Sequence, residues 1–150
     1  MSSVSPKKSK RRSAPLPKPP RATQSKRAVR TQVPSKRIAL LAAEAGLDKK
    51  ATAVQIIDVT GKVDYADYLV LMTGQSNRNV AAIADAVEGV LAQSGVKAIS
   101  IEGLPAAEWV LIDLVDVVVH VFQRDARALY DLDGLWMDAE RVDVPVKARA

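Results

Sequence analysis

Ser76, Asp85 and His120 are the side chains whose types and surroundings come nearest to bond-making chemistry in this chain. The Gly74–Ser76 turn could hold a nucleotide phosphate if Asp-x-Asp followed about ten residues later to bind Mg²⁺. The next acid is Asp85, set between Ala84 and Ala86, with no carboxylate two residues away. The metal pair is missing, and Ser76 reads as a helix cap rather than a phosphate contact. His120 lies in the apolar run VVVHVF and is the only His in a chain without Cys, which argues against a metal site. Ser76, His120 and an Asp can be drawn as a triad, but the nucleophile elbow such a triad needs is absent. The expectation is a non-enzyme with no cofactor and no metal.

Recognition chemistry is better supplied. The stretch from Trp109 to Trp136 holds both tryptophans, the only His, the only Phe and one of three Tyr. Large aromatic side chains supply most of the anchoring energy at protein interfaces, so this concentration points to a docking surface. Asp113, Asp116 and Glu102 add acidic groups, which read either as partners for Arg or Lys on a basic protein or as ordinary turn acids. Trp109 is expected to be partly exposed, since its strand face also carries two acids and a His. His120 is expected to pack on Trp109 or to join the docking face. Tyr130 reads as core, and Trp136 as a residue of the rim.

These groups need a frame. Residues 108–114 and 116–122 read as a tight hairpin whose turn is Leu114-Val115. Asp113 would then face Asp116, Leu111 would face Val118 and Trp109 would face His120. Val110, Ile112, Val117, Val119 and Val121 form one wholly apolar face, which must be core. Trp109, Leu111, Asp113, Asp116, Val118, His120 and Phe122 form the other, a partner side or the side under a helix. Leu114 would sit at an apolar tip, either as a contact residue or tucked beneath the Trp136 segment.

Upstream, Ser35 can cap a helix that Gly46 ends. Residues 54–59 and 67–73 read as strands, the second nearly continuous in apolar character and so interior. Val80, Ile83, Ala84, Val87, Val90 and Leu91 make one apolar stripe on a helix over 77–93, capped by Ser76 or Asn77 and followed by Gly95. A strand near 97–101, a loop at Gly103-Leu104-Pro105 and a helix near 124–131 complete the series. The order α-β-β-α-β-β-β-α predicts an α/β fold with a mixed sheet of about five strands flanked by helices.

Charge divides the chain. Residues 1–37 hold twelve of the 22 Lys and Arg, six of the eight prolines and no acid, whereas the rest holds all 17 acids. The basic pI is a property of this tail. Residues 1–35 are expected to be a disordered basic tail, 36–140 the folded body and 141–150 a flexible C-terminal tail. A polycationic tail binds nucleic acid without sequence preference, or it is simply solvated and dispensable. No run is long enough for a membrane span, and residues 1–37 lack the apolar stretch of a secretory signal, so none is expected there. Prolines 15, 17, 19 and 20 break any amphipathic helix there, which favours a cytoplasmic extension over an organellar presequence.

The body from about 35 to 138 resembles the ribosomal silencing factor family, also called RsfS or Iojap. The matching stretches are DYADYLVLMTG (64–74), SNRNVAAIA (76–84), Glu102-Gly103, Trp109–Phe122 and YDLDGLW (130–136). The chain departs from the family pattern at Val115, where the hairpin turn usually has Gly, and at Asn79, where His is common. Gly134 stands where a basic or polar residue is usual. The resemblance implies a nucleotidyltransferase-like fold without that activity. It implies binding to large-subunit ribosomal protein fourteen on the large ribosomal subunit, which blocks small-subunit joining and represses translation in starvation or stationary phase. It points to the strand of Trp109 as the binding edge, with Trp109 and Leu114 the strongest anchors, and Asp113, Asp116, His120 and Glu102, read from their own chemistry, complete the expected partner-binding set. The family also forms homodimers in crystals, and on a ribosome the basic tail could touch ribosomal RNA.

Overall fold

The computed structural model describes residues 33–144. The expected basic tail up to residue 32 and the last six residues lie outside the described residues.

Helix α1 (Ser35–Asp48) begins after Pro34. Ser35 is its first residue rather than its cap, and the Ser35 hydroxyl instead donates to Asp67 Oδ2 at 3.1 Å. Gly46 does not end the helix. It is buried within it, and a Cβ there would overlap the Met72 sulfur, so the glycine admits a side chain from the strand below. Helix α2 (Asn77–Gln93) has the expected bounds. Ser76 caps it, its Oγ accepting from the Asn79 N–H at 3.0 Å. Gly95, at φ +88°, turns the chain away from its end.

Strands β1 (Thr52–Asp58), β2 (Tyr68–Gly74), β3 (Ser100–Glu102), β4 (Trp109–Asp113), β5 (Val117–Gln123) and β6 (Glu140–Val142) form one mixed sheet in the order β3-β4-β5-β2-β1-β6. Strands β2 and β5 run parallel and the other pairs antiparallel. The sheet has six strands where about five are expected. The addition is β6, three residues long, which pairs with β1 and reaches into the stretch expected to be a C-terminal tail. Strand β2 is central, as its apolar run predicts.

The hairpin register differs from expectation by two residues. Trp109 pairs with Phe122, Leu111 with His120 and Asp113 with Val118. Leu114 still belongs to the ladder, its N–H donating to the Val117 carbonyl at 2.8 Å. The turn is therefore Val115-Asp116. The Asp116 N–H reaches back to the Leu114 carbonyl at 3.0 Å, which closes a γ-turn about Val115, whose φ is +77°. A β-branched residue is strained there, where glycine would not be.

Side chains alternate between the faces of the sheet. On one face Val70, Met72, Val110, Ile112, Val117, Val119 and Val121 join the apolar stripes of α1 and α2 in a single core. On the other, Leu69, Leu71, Trp109, Leu111, Val118 and Phe122 form a second, smaller cluster. Two short helices, α3 (Arg124–Tyr130) and α4 (Leu132–Leu135), follow β5. Leu132, Ala126 and Trp136 from this segment pack on the second cluster.

Candidate docking site

The aromatic concentration becomes a stack. Trp109 lies with its ring centroid 5.0 Å from Phe122, 5.8 Å from His120 and 4.6 Å from Tyr130. The Trp109 indole N–H donates to His120 Nδ1 at 3.0 Å. Trp109 and His120 are diagonal rather than opposite neighbours, a separation large side chains can bridge. Accepting at Nδ1 requires a neutral imidazole with its proton on Nε2. Burial pushes the same way, lowering the His120 pKa from an ordinary 6.5 to about 3.

The expected exposure of this face is corrected. Trp109 is only 4% exposed, because α3 and α4 lie over its strand face and Tyr130 covers the ring. Asp113, Asp116 and His120 are buried too. Leu114 is neither an exposed tip nor tucked beneath Trp136. It continues the alternation of Val110 and Ile112 and is fully buried in the helix-side core. Asp113 and Asp116 do not face each other. Asp113 Oδ1 accepts from the Val115 N–H at 3.1 Å and so holds the strained turn. Glu102 is half-buried on β3, an edge strand. The Gly103 that follows has φ +105°, and a Cβ there would strike the Trp109 carbonyl oxygen.

Tyr130, expected in the core, is 39% exposed and forms the solvent end of the stack, whereas Trp136 is half-buried. Around Tyr130 the chain exposes Leu129, Leu135 and Met137 at 74%, 60% and 76%. Four large apolar side chains left in water within nine residues make this segment the candidate interaction surface. The exposed acids Asp125, Asp131, Asp138 and Glu140 accompany them. Sequence reasoning missed Leu129, Leu135 and Met137 as contact residues. The available signal was their failure to fit the apolar pattern of a buried helix face.

Asp131, at φ +49°, ends α3 and caps α4 through its carboxylate, which accepts from the Gly134 N–H at 3.0 Å. A Cβ at Gly134 would collide with that carboxylate, which explains the glycine. Arg127 grips Asp133 in a fork of 3.0 and 2.8 Å bonds. This fork holds the Asp133 pKa below the usual carboxylate range.

Among the described residues no cluster of three His, Asp or Glu could hold a metal ion. Ser76 is engaged as a cap, and Asp85 is exposed on α2. No described helix is long and apolar enough to cross a membrane.

The family described as ribosomal silencing factor during starvation matches residues 32–150. A ribosomal silencing factor of Bacillus subtilis is 40% identical over 109 residues, covering 73% of this chain and 92% of the relative. One from Halalkalibacterium halodurans is 43% identical over 104 residues, covering 69% and 89%. Among solved structures, a Chromobacterium violaceum protein superposes with a TM-score of 0.69 at 34% identity, covering 77% of this chain and 96% of its own.

Proposed function

The chain belongs to the ribosomal silencing factor family, and on that premise we propose that it docks on the large ribosomal subunit through large-subunit ribosomal protein fourteen. Bound there, it blocks small-subunit joining by bulk alone, in the cytoplasm, and so represses translation in starvation or stationary phase. It acts without catalysis: its role needs no bond made or broken, and the family it belongs to is regulatory.

One observation carries the reading. Leu129, Tyr130, Leu135 and Met137 are exposed within one short segment that also carries acids, and Tyr130 of that segment caps the aromatic stack. Apolar anchors with acidic neighbours suit a basic protein surface, which they attract at long range and then grip by burial. The residues named from the sequence act beneath and beside that surface. Trp109 and His120 form the platform on which Tyr130 rests. Asp113, Leu114 and Asp116 fix the hairpin end, and Glu102 adds charge at the adjacent sheet edge. The basic tail adds a weak, salt-sensitive contact to ribosomal RNA. Off the ribosome, the same apolar surface is available to a second copy of the chain.

The test is co-sedimentation of the full chain with isolated large subunits, followed by addition of small subunits. Sedimentation with large subunits and fewer joined ribosomes is expected. Normal joining in the presence of saturating protein would refute the proposal. A version lacking residues 1–32 is expected to keep docking. If it loses all binding, the tail's charge is the real handle.

A further inference from the structure

Helix α3 buries none of its residues, and α4 buries only Leu132. Apolar burial is therefore thin where the docking segment meets the sheet, and a polar group supplies the attachment. The Arg127 side chain is 11% exposed and spends its guanidinium on three other elements. Its Nε and Nη2 donate to the two Asp133 oxygens on α4. Its Nη1 donates to the Ala53 carbonyl on β1 at 2.6 Å and to the Thr73 hydroxyl on β2 at 2.9 Å. Ala53 has φ +49° and lies where the β1–β2 register shifts between Thr52 and Gln55. Such an irregularity re-aims backbone groups, and here one of the re-aimed carbonyls meets Arg127.

We propose that Arg127 is a positioning residue for docking: its fork latches α3 and α4 onto the β1–β2 end of the sheet and holds Leu129, Tyr130, Leu135 and Met137 in one presentable arrangement. This rests on the docking reading given above. Arginine is required because a planar guanidinium can bind a carboxylate with two parallel bonds while its third nitrogen serves a carbonyl and a hydroxyl. Lysine keeps the charge but offers a single nitrogen, which cannot span Asp133, Ala53 and Thr73 together. The helix-side core contains no residue of α3 or α4, so it persists without the Arg127 fork.

The experiment compares wild type, Arg127→Lys and Asp133→Asn by amide hydrogen exchange on the free proteins and by co-sedimentation with large subunits. In Arg127→Lys, amides of residues 124–136 are expected to exchange at least tenfold faster, while those of α2, β2 and β5 keep wild-type protection. Affinity for large subunits is expected to fall at least tenfold. Asp133→Asn keeps one acceptor oxygen and is expected to move both readouts the same way by less. Unchanged protection of 124–136 in Arg127→Lys would overturn the inference, whatever the subunits do. Faster exchange throughout the chain would also overturn it, since Arg127 would then be a general stabiliser. Faster exchange confined to 124–136 with wild-type affinity would show the latch and refute its part in docking. If wild type itself fails to bind, the docking reading falls and the exchange result alone decides the latch.

Discussion

The two faces of the sheet are covered in opposite ways. On one, α1 and α2 lay long apolar stripes over Val70, Met72, Val110 and Ile112, and the joint is wholly apolar. On the other, two short helices are held by Leu132, Trp136 and a guanidinium fork, and they leave Leu129, Leu135 and Met137 in water. The difference separates stability from recognition. The helix-side face makes the fold, and the α3–α4 side spends apolar surface on the outside, where a partner can bury it.

Leu91→Ala should show the largest effect on stability. Leu91 is fully buried on the helix side, and its truncation is expected to cost about 2–5 kcal/mol in a denaturant melt. A cost as small as that of a surface change would break the division between the faces.

Trp109→Phe keeps a ring in the stack but removes the donor to His120 Nδ1. Leaving that buried nitrogen without this bond is expected to cost about 1–3 kcal/mol. No loss of stability would mean the Trp109–His120 bond contributes nothing to the platform.

His120 sharpens the comparison through pH. Its folded pKa is about 3, while the unfolded chain protonates near the ordinary 6.5. The unfolded state therefore binds the extra proton first as pH falls. The contribution is complete above pH 6.5 and declines towards pH 3, by at most about 1.4 kcal/mol per pH unit. Asp133 also has a lowered pKa, so its stabilising contribution is present above the ordinary 3.8 and fades only below it. Melts between pH 6.5 and 4.5 read this slope, and the variant without the only His in the chain identifies its source. Replacing it in His120→Gln is expected to flatten that slope, and an unchanged slope would contradict the assignment.

Leu129→Ala should show the smallest effect on stability. Its side chain is exposed, so the melt is expected to shift by less than about 0.5 kcal/mol, while large-subunit binding weakens.

Much of the helix-side face was legible because its signals are periodic and local. The stripe from Val80 to Leu91 gave α2 its bounds, and the alternation from Val117 to Val121 gave β5 its core face. The failures lay where the deciding partner is distant in sequence. Gly46 reads as a stop until Met72 is placed against it. The hairpin turn was misplaced because Leu114 continues the strand alternation and leaves strain to Val115, which no turn preference predicts. The exposure of Trp109 was misjudged because the mixed composition of its face looked like a surface, and only the return of α3 covers it. Arg127 was invisible because two of its partners lie 54 and 74 residues away. Strand β6 has three residues, too few to show any period.

The most direct test of the division is Leu135→Asp combined with Met137→Asp, measured by large-subunit co-sedimentation beside wild type. Both side chains are exposed, so the variant is expected to melt like wild type. The account predicts that it no longer sediments with large subunits and no longer suppresses joined ribosomes. Wild-type binding by this folded variant would contradict docking through the α3–α4 surface.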